Sequence, residues 1–250
     1  MSAKHRDRHG AQNRPSLANP LTRARVGRSR AALVAGASLV ALGALSAPDR
    51  ALAACSGKNQ TISSPSTPGP ILGKDGNITV DAGASVAGGP TGVYAKNCGI
   101  GALTNRGGIG GADGSGSVGG TGGAGGTGVK ANSGRTIDLL TNANGATISG
   151  GNGGFGSSSP GGAGGAGVSN AGTIRTLANR GTINGGQGGG GSFSGFSAGN
   201  GGAGVSNAGT IATLTNTGTI SGGSGAGTGG TGGAGISNRR TISLGSRPSV

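Results

Sequence analysis

A chain of 250 residues has room for one or two ordinary domains, but 64 glycines, no tryptophan, one tyrosine and three phenylalanines leave too few large side chains for an ordinary core. Collagen is excluded too, because glycine does not recur at every third residue throughout and only nine prolines are present; a solenoid or a disordered chain remains. Half of the formal charge of +14 sits in residues 1–30, and the later basic residues are spread singly, apart from Arg239 and Arg240, with no interleaved aromatics, which argues against a nucleic-acid partner.

The first element in chain order is a leader. Lys4, Arg6, Arg8, Arg14, Arg23, Arg25, Arg28 and Arg30 precede the uncharged apolar run Ala31–Ala47, and Ala51-Leu52-Ala53 follows. Basic n-region, apolar h-region and A-x-A site in this order predict a signal peptide over 1–53, with an extended n-region and cleavage between Ala53 and Ala54. The competing readings are a short membrane anchor and acylation of Cys55, since Leu52-Ala53-Ala54-Cys55 resembles a bacterial lipobox. The charges of Asp49 and Arg50 speak against the second.

Residues 54–77 read as a linker or N-terminal cap. Cys55 and Cys98 are the only cysteines, and delivered to an oxidising compartment they most simply pair with each other. Asn59-Gln-Thr61 and Asn77-Ile-Thr79 have the form of glycosylation sequons, which have that meaning only in a eukaryotic secretory pathway.

Repeats occupy 78–244, with a tail at 245–250. The clearest unit is aliphatic-x-Asn-x-Gly-x-Ile. It runs through Val168, Asn170, Gly172 and Ile174, and again nine residues later through Leu177, Asn179, Gly181 and Ile183. A second pair runs through Val205, Asn207, Gly209 and Ile211, then Leu214, Asn216, Gly218 and Ile220. Looser copies include Val129 to Ile148, Val93 to Ile109 and a truncated one at Ile236 to Ile242.

The marked residues lie two apart and share a face of extended backbone, whereas a nine-residue period would swap faces in every copy. The chain must therefore bend once per unit. The predicted bend is at Asn-x-Gly, where glycine accepts positive φ and asparagine tolerates it, with a further irregularity at Thr176 to Leu177. Short strands and turns that coil in this way describe a parallel β-solenoid, and asparagines at equivalent turns are candidates for side-chain ladders. No single coil buries enough to fold alone, so neighbouring coils must supply the rest.

Glycine tracts separate the pairs, as at Gly150 to Gly167, Gly185 to Gly204 and Gly222 to Gly235. Their variable length favours loops over a second, glycine-packed coil. Phe155, Phe193 and Phe196 sit within them, as exposed contacts or as caps over the core.

The V-S-N-A-G-T-I and T-L-x-N-x-G-T-I phrases resemble the passenger repeats of bacterial autotransporter and haemagglutinin-type adhesins over about residues 78–244. That resemblance implies an all-β, right-handed parallel β-helix with glycine-rich loops. It also implies display at the cell surface or outer membrane, or secretion, and a host, matrix or cell-surface ligand of unknown identity. It carries over no binding residue, and the family's membrane β-barrel has no counterpart in these 250 residues. The tracts alone, such as Gly119 to Gly126, are similar to those of mycobacterial PE-PGRS proteins, whose helical N-terminal domain is absent here.

Catalytic chemistry finds little material. His5 and His9 lie in the leader, glutamate is absent, and Asp75, Asp81, Asp113 and Asp138 fall in no recognisable catalytic spacing. The G-x-G-x-x-G matches open no helix, and Gly107-Gly-Ile-Gly-Gly-Ala-Asp113 echoes a calcium-binding nonapeptide only once, without the tandem that motif needs. The expectation is a non-enzymatic structural or adhesive protein without cofactor or metal, the alternative being a disordered glycine-rich wall or matrix protein.

Overall fold

The computed structural model describes residues 55–157, 159–191 and 197–244, all within one unit of the chain. The predicted leader, its cleavage site at Ala53 and Ala54, Phe193, Phe196 and the tail lie outside the described residues.

Each coil is three short strands separated by bends. The first coil holds β1 (Gln60–Ile62), β2 (Thr67–Pro68) and β3 (Ile71–Leu72), and the second β4 (Ile78–Val80), β5 (Ser85–Ala87) and β6 (Thr91–Ala95). The third holds β7 (Ile100–Asn105), β8 (Gly108–Gly110) and β9 (Thr127–Ala131), and the fourth β10 (Thr136–Asn142), β11 (Thr147–Ser149) and β12 (Val168–Asn170). Then come β13 (Thr173–Asn179), β14 (Thr182–Asn184) and β15 (Val205–Asn207), followed by β16 (Thr210–Asn216), β17 (Thr219–Ser221) and β18 (Ile236–Asn238), and β19 (Thr241–Leu244) opens a further turn. Every third strand stacks in parallel on its predecessor, giving sheets of seven, six and six strands. The fold is a parallel β-helix. Its first coil lies inside the 54–77 segment that the sequence marks as a linker or cap.

The core is a set of aliphatic columns. Leu103, Leu140, Leu177 and Leu214 stack in register, as do Ile137, Ile174 and Ile211, Ile109, Ile148 and Ile183, and Val93, Val129, Val168 and Val205. These side chains are buried, and Ile220 and Ile242 are partly buried against them. Like stacked on like lets each branched side chain pack on an identical shape one strand away, where dispersion and burial add.

Two nine-residue units make one coil, because β13 buries both Ile174 and Leu177 although they are three apart. Arg175 is exposed and Thr176 half-buried between them, and the pairing with β16 runs from Ile174 straight to Thr176. Arg175 is passed over in the pairing together with Ala212 opposite it, and this kink common to both strands restores the inward face of the second half. The irregularity thus sits one residue before the expected place.

The bends do fall at Asn-x-Gly, but for a different reason. Gly172, Gly181, Gly209 and Gly218 are not among the positive-φ glycines; a Cβ on them would instead run into the backbone of the preceding coil, at Arg135, Ala146, Gly172 and Gly181 respectively. Positive φ appears where the spacing is longer, at Gly134 (71°) and Gly145 (75°).

Candidate functional site

Three ordered features build the molecular surface and ends. The first is inside the bends. Asn105 Nδ2 donates to Asn142 Oδ1 (2.9 Å), Asn142 to Asn179 (2.9 Å) and Asn179 to Asn216 (2.8 Å). A second ladder joins Asn170 to Asn207 (2.7 Å) and Asn207 to Asn238 (2.9 Å). The same Nδ2 atoms also donate to threonine carbonyls on the next coil, as Asn142 does to Thr182 O at 3.0 Å. Asn105, Asn142, Asn170, Asn179 and Asn207 are buried, and no buried side-chain polar atom among the described residues lacks a partner. An amide both donates, through two N–H groups, and accepts, so the ladder satisfies itself coil after coil.

The second feature is made by the glycine tracts. They leave the β-helix between β8 and β9, β11 and β12, β14 and β15, and β17 and β18, so they connect strands as loops do, yet they are packed. Gly150, Gly153 and Gly156 donate to Asn184 O, Gln187 O and Gly190 O on the next tract (2.9, 2.7 and 3.0 Å). On the way back Gly161, Gly164 and Gly167 donate to Ser197 O, Asn200 O and Ala203 O (3.2, 2.8 and 3.1 Å). Donors three apart mean three residues per turn, the period of a polyproline II helix.

Outgoing and returning arms form two layers bonded to each other. Gly165 donates to Gly151 O, Gly186 to Gly165 O, Gly202 to Gly186 O and Gly223 to Gly202 O (2.8, 2.8, 2.8 and 2.9 Å). Of every three residues, one therefore bonds within its layer, one bonds across, and one faces out. The outward set includes the exposed Asp113, Asn152, Phe155 and Gln187 on one layer, and Ala124, Ala163 and Asn200 on the other. At the inner glycines a Cβ would overlap backbone of an adjoining arm, for example at Gly164 against Gly186, or Gly165 against Gly126. The G-G-x phrasing of Gly150 to Phe155 and Gly161 to Gly167 is the sequence signal of this slab.

The third feature is the N-terminal end. Cys55 and Cys98 form a disulfide with Cα atoms 5.8 Å apart, tying the segment before β1 to the turn before β7. Asp75, in the left-handed region at φ 61°, accepts from Gly99 N at 2.6 Å beside it. Cys55, Asp75 and Cys98 bring three potential metal-ligating atoms within 4.8 Å, but both sulfurs are committed to the disulfide. A cavity of about 280 Å³ next to it is lined by Ser56, Leu72, Lys74, Lys96 and Asn97.

The four aspartates among the described residues serve separate local roles. Asp81 accepts from Ser63 Oγ (2.6 Å), Asp113 from Asn152 N (2.7 Å), and Asp138 pairs with Arg175 (2.7 Å) on an exposed face. Around that pair the outer face of the seven-stranded sheet carries hydroxyls in register. Thr61, Thr79, Thr104 and Thr141 make one column, and Thr136, Thr173, Thr210 and Thr241 another. Phe155 is half exposed and lies against Gly190. No protein-family model, curated protein or solved structure matches the chain.

Proposed function

We propose that this protein is exported and works as a non-catalytic, rigid surface element, structural or adhesive, in the manner of an autotransporter passenger. The observation that carries this reading is the disulfide between Cys55 and Cys98 at the head of a parallel β-helix. Disulfides persist in oxidising compartments, and the leader of residues 1–53 has the order of a secretory signal. Outward threonines and amides on repeating faces offer many weak polar contacts. Such a surface suits multivalent attachment to a host, matrix or cell-surface ligand better than turnover of a small substrate.

Mass spectrometry of the protein recovered from cell fractions tests this. An N-terminus at Ala54 with Cys55 bridged to Cys98, found at the cell surface, in the outer membrane or in the medium, is the expected result. An intact Met1 with reduced cysteines in the cytoplasm overturns it, and an acylated Cys55 replaces the bridge with a lipid anchor.

A further inference from the structure

The chain contains four Asn-Gly pairs, Asn144-Gly145, Asn152-Gly153, Asn184-Gly185 and Asn200-Gly201. In such a pair the glycine amide nitrogen meets no side-chain obstruction and can reach the asparagine carboxamide, provided the intervening peptide plane is free to rotate.

Three of the planes are clamped at both ends by the glycine slab. Gly153 N donates to Gln187 O (2.7 Å) while Asn152 O accepts from Gly114 N (2.7 Å). Gly185 N donates to Ser221 O (2.9 Å) and Asn184 O accepts from Gly150 N (2.9 Å). Gly201 N donates to Thr231 O (2.8 Å) and Asn200 O accepts from Gly164 N (2.8 Å). Their side-chain carbonyls are occupied too, accepting from Gln187 N, Ser221 Oγ and Thr231 N respectively.

The fourth differs on every count. Asn144 and Gly145 are the exposed central residues of the turn between β10 and β11, closed by Ala146 N donating to Ala143 O at 3.1 Å. Gly145 has φ 75°, the left-handed position of a type II turn. Among the described residues neither Gly145 N nor Asn144 O takes part in a backbone hydrogen bond, and the Asn144 side chain has no partner. The central peptide of such a turn can flip while the closing bond stays in place.

We propose that Asn144 is a site of spontaneous self-modification of the folded protein, through a cyclic imide. The Gly145 nitrogen, giving up its proton to solvent, bonds to Asn144 Cγ, the bond from Cγ to the side-chain nitrogen breaks, and ammonia leaves. Water then opens the imide at one carbonyl or the other, giving aspartate or, through the former side chain, an iso-aspartyl linkage. The new carboxylate enters a corner where the adjoining coils carry the exposed Arg106 and Arg180, since Ala143 N bonds to Asn105 O as Arg180 N bonds to Asn142 O. Modification thus adds a negative charge between two positive ones on an outer edge of the β-helix.

The test is peptide mapping by mass spectrometry, with enzymatic methylation of iso-aspartate as a second readout. The native protein is aged in mildly alkaline buffer below its melting temperature, beside a sample held in urea. In the native sample Asn144 converts at least roughly tenfold faster than Asn152, Asn184 or Asn200, because the clamped pairs must first open. In urea the four converge, and Asn144→Gln removes the native-state product while the melt is unchanged. Equal conversion of all four in the folded protein overturns the proposal. So does earlier conversion of a slab asparagine, or no native conversion at Asn144 when all four react in urea.

Discussion

Substituting Gly165 with alanine tests whether the glycine tracts are packed structure. Gly165 N donates to Gly151 O and its carbonyl accepts from Gly186 N, both at 2.8 Å. An added methyl would overlap the carbonyl of Gly126, so the arm must move away from its neighbours. Displacing it weakens two ladder bonds, by about half of the roughly 1 kcal/mol each contributes, and overpacking adds about 1–3 kcal/mol, so a loss of about 2–4 kcal/mol is expected. For a chain of this size that lowers the melting temperature by roughly 4–16 °C. Circular dichroism on heating and in urea reads it, with Ala163→Ser as the control. Ala163 faces outward two residues away, and its change should stay within about 0.5 kcal/mol. If Gly165→Ala melts with the native protein and the Ala163→Ser control, the tracts are not packed into bonded layers.

The asparagine ladder and the disulfide yield further expectations. Asn179→Asp places a carboxyl among Asn142, Asn216, Gly181 O and Thr219 O, where it replaces a donor and is buried. Burial beside carbonyls raises its folded pKa above the unfolded value of about 3.9, so the folded state holds the proton more tightly and stability is lost as pH rises through the folded pKa. Urea midpoints that fall from about pH 4 toward neutrality, relative to the native protein, are the expected reading, and a pH-independent difference refutes it. Reducing Cys55–Cys98 should cost about 2–4 kcal/mol. Hydrogen exchange should show the loss in β1 to β7 first, and uniform loosening out to β16 contradicts the staple.

Much of the β-helix is legible because its signal is local and repeated. Val168, Asn170, Gly172 and Ile174 recur in order, and hydrophobicity alone puts Val168, Ile174, Leu177 and Ile183 inside. The place of the kink that lets two units share one coil is not legible, since the compensating irregularity at Arg175 is visible only once β13 is paired with β16. The bend glycines are found for the wrong cause: Gly181 is crowded by Ala146, a residue of the preceding coil that no local rule brings near. In the tracts the relevant period of three is present, but variable tract length masks it and the pairing partners lie a whole coil away. The first coil hides for another reason, as Ser63 to Pro70 has the composition of a linker while β2 still pairs with β5.

Variable length and strict packing are compatible because the arms pair where they leave the β-helix and the differences in length fall toward the tips. Val118, wholly exposed, marks the tip of the first hairpin, and nothing within 4 Å crowds a Cβ built at Gly119. One glycine inserted between them lengthens a closed loop slightly and should cost less than about 0.5 kcal/mol. Deleting Gly164 is different in kind. With three residues per turn, the arm beyond the deletion rotates by a third of a turn, and the methyl of Ala163 takes a place where a Cβ meets Gly186 backbone. Overpacking together with the displaced bonds of Gly161 to Ser197 and Gly162 to Gly154 sets that cost at about 2–4 kcal/mol or more. Urea midpoints of the two variants decide the matter. A tip insertion as damaging as the arm deletion would mean that register is set at the tips, and that tract length itself is constrained.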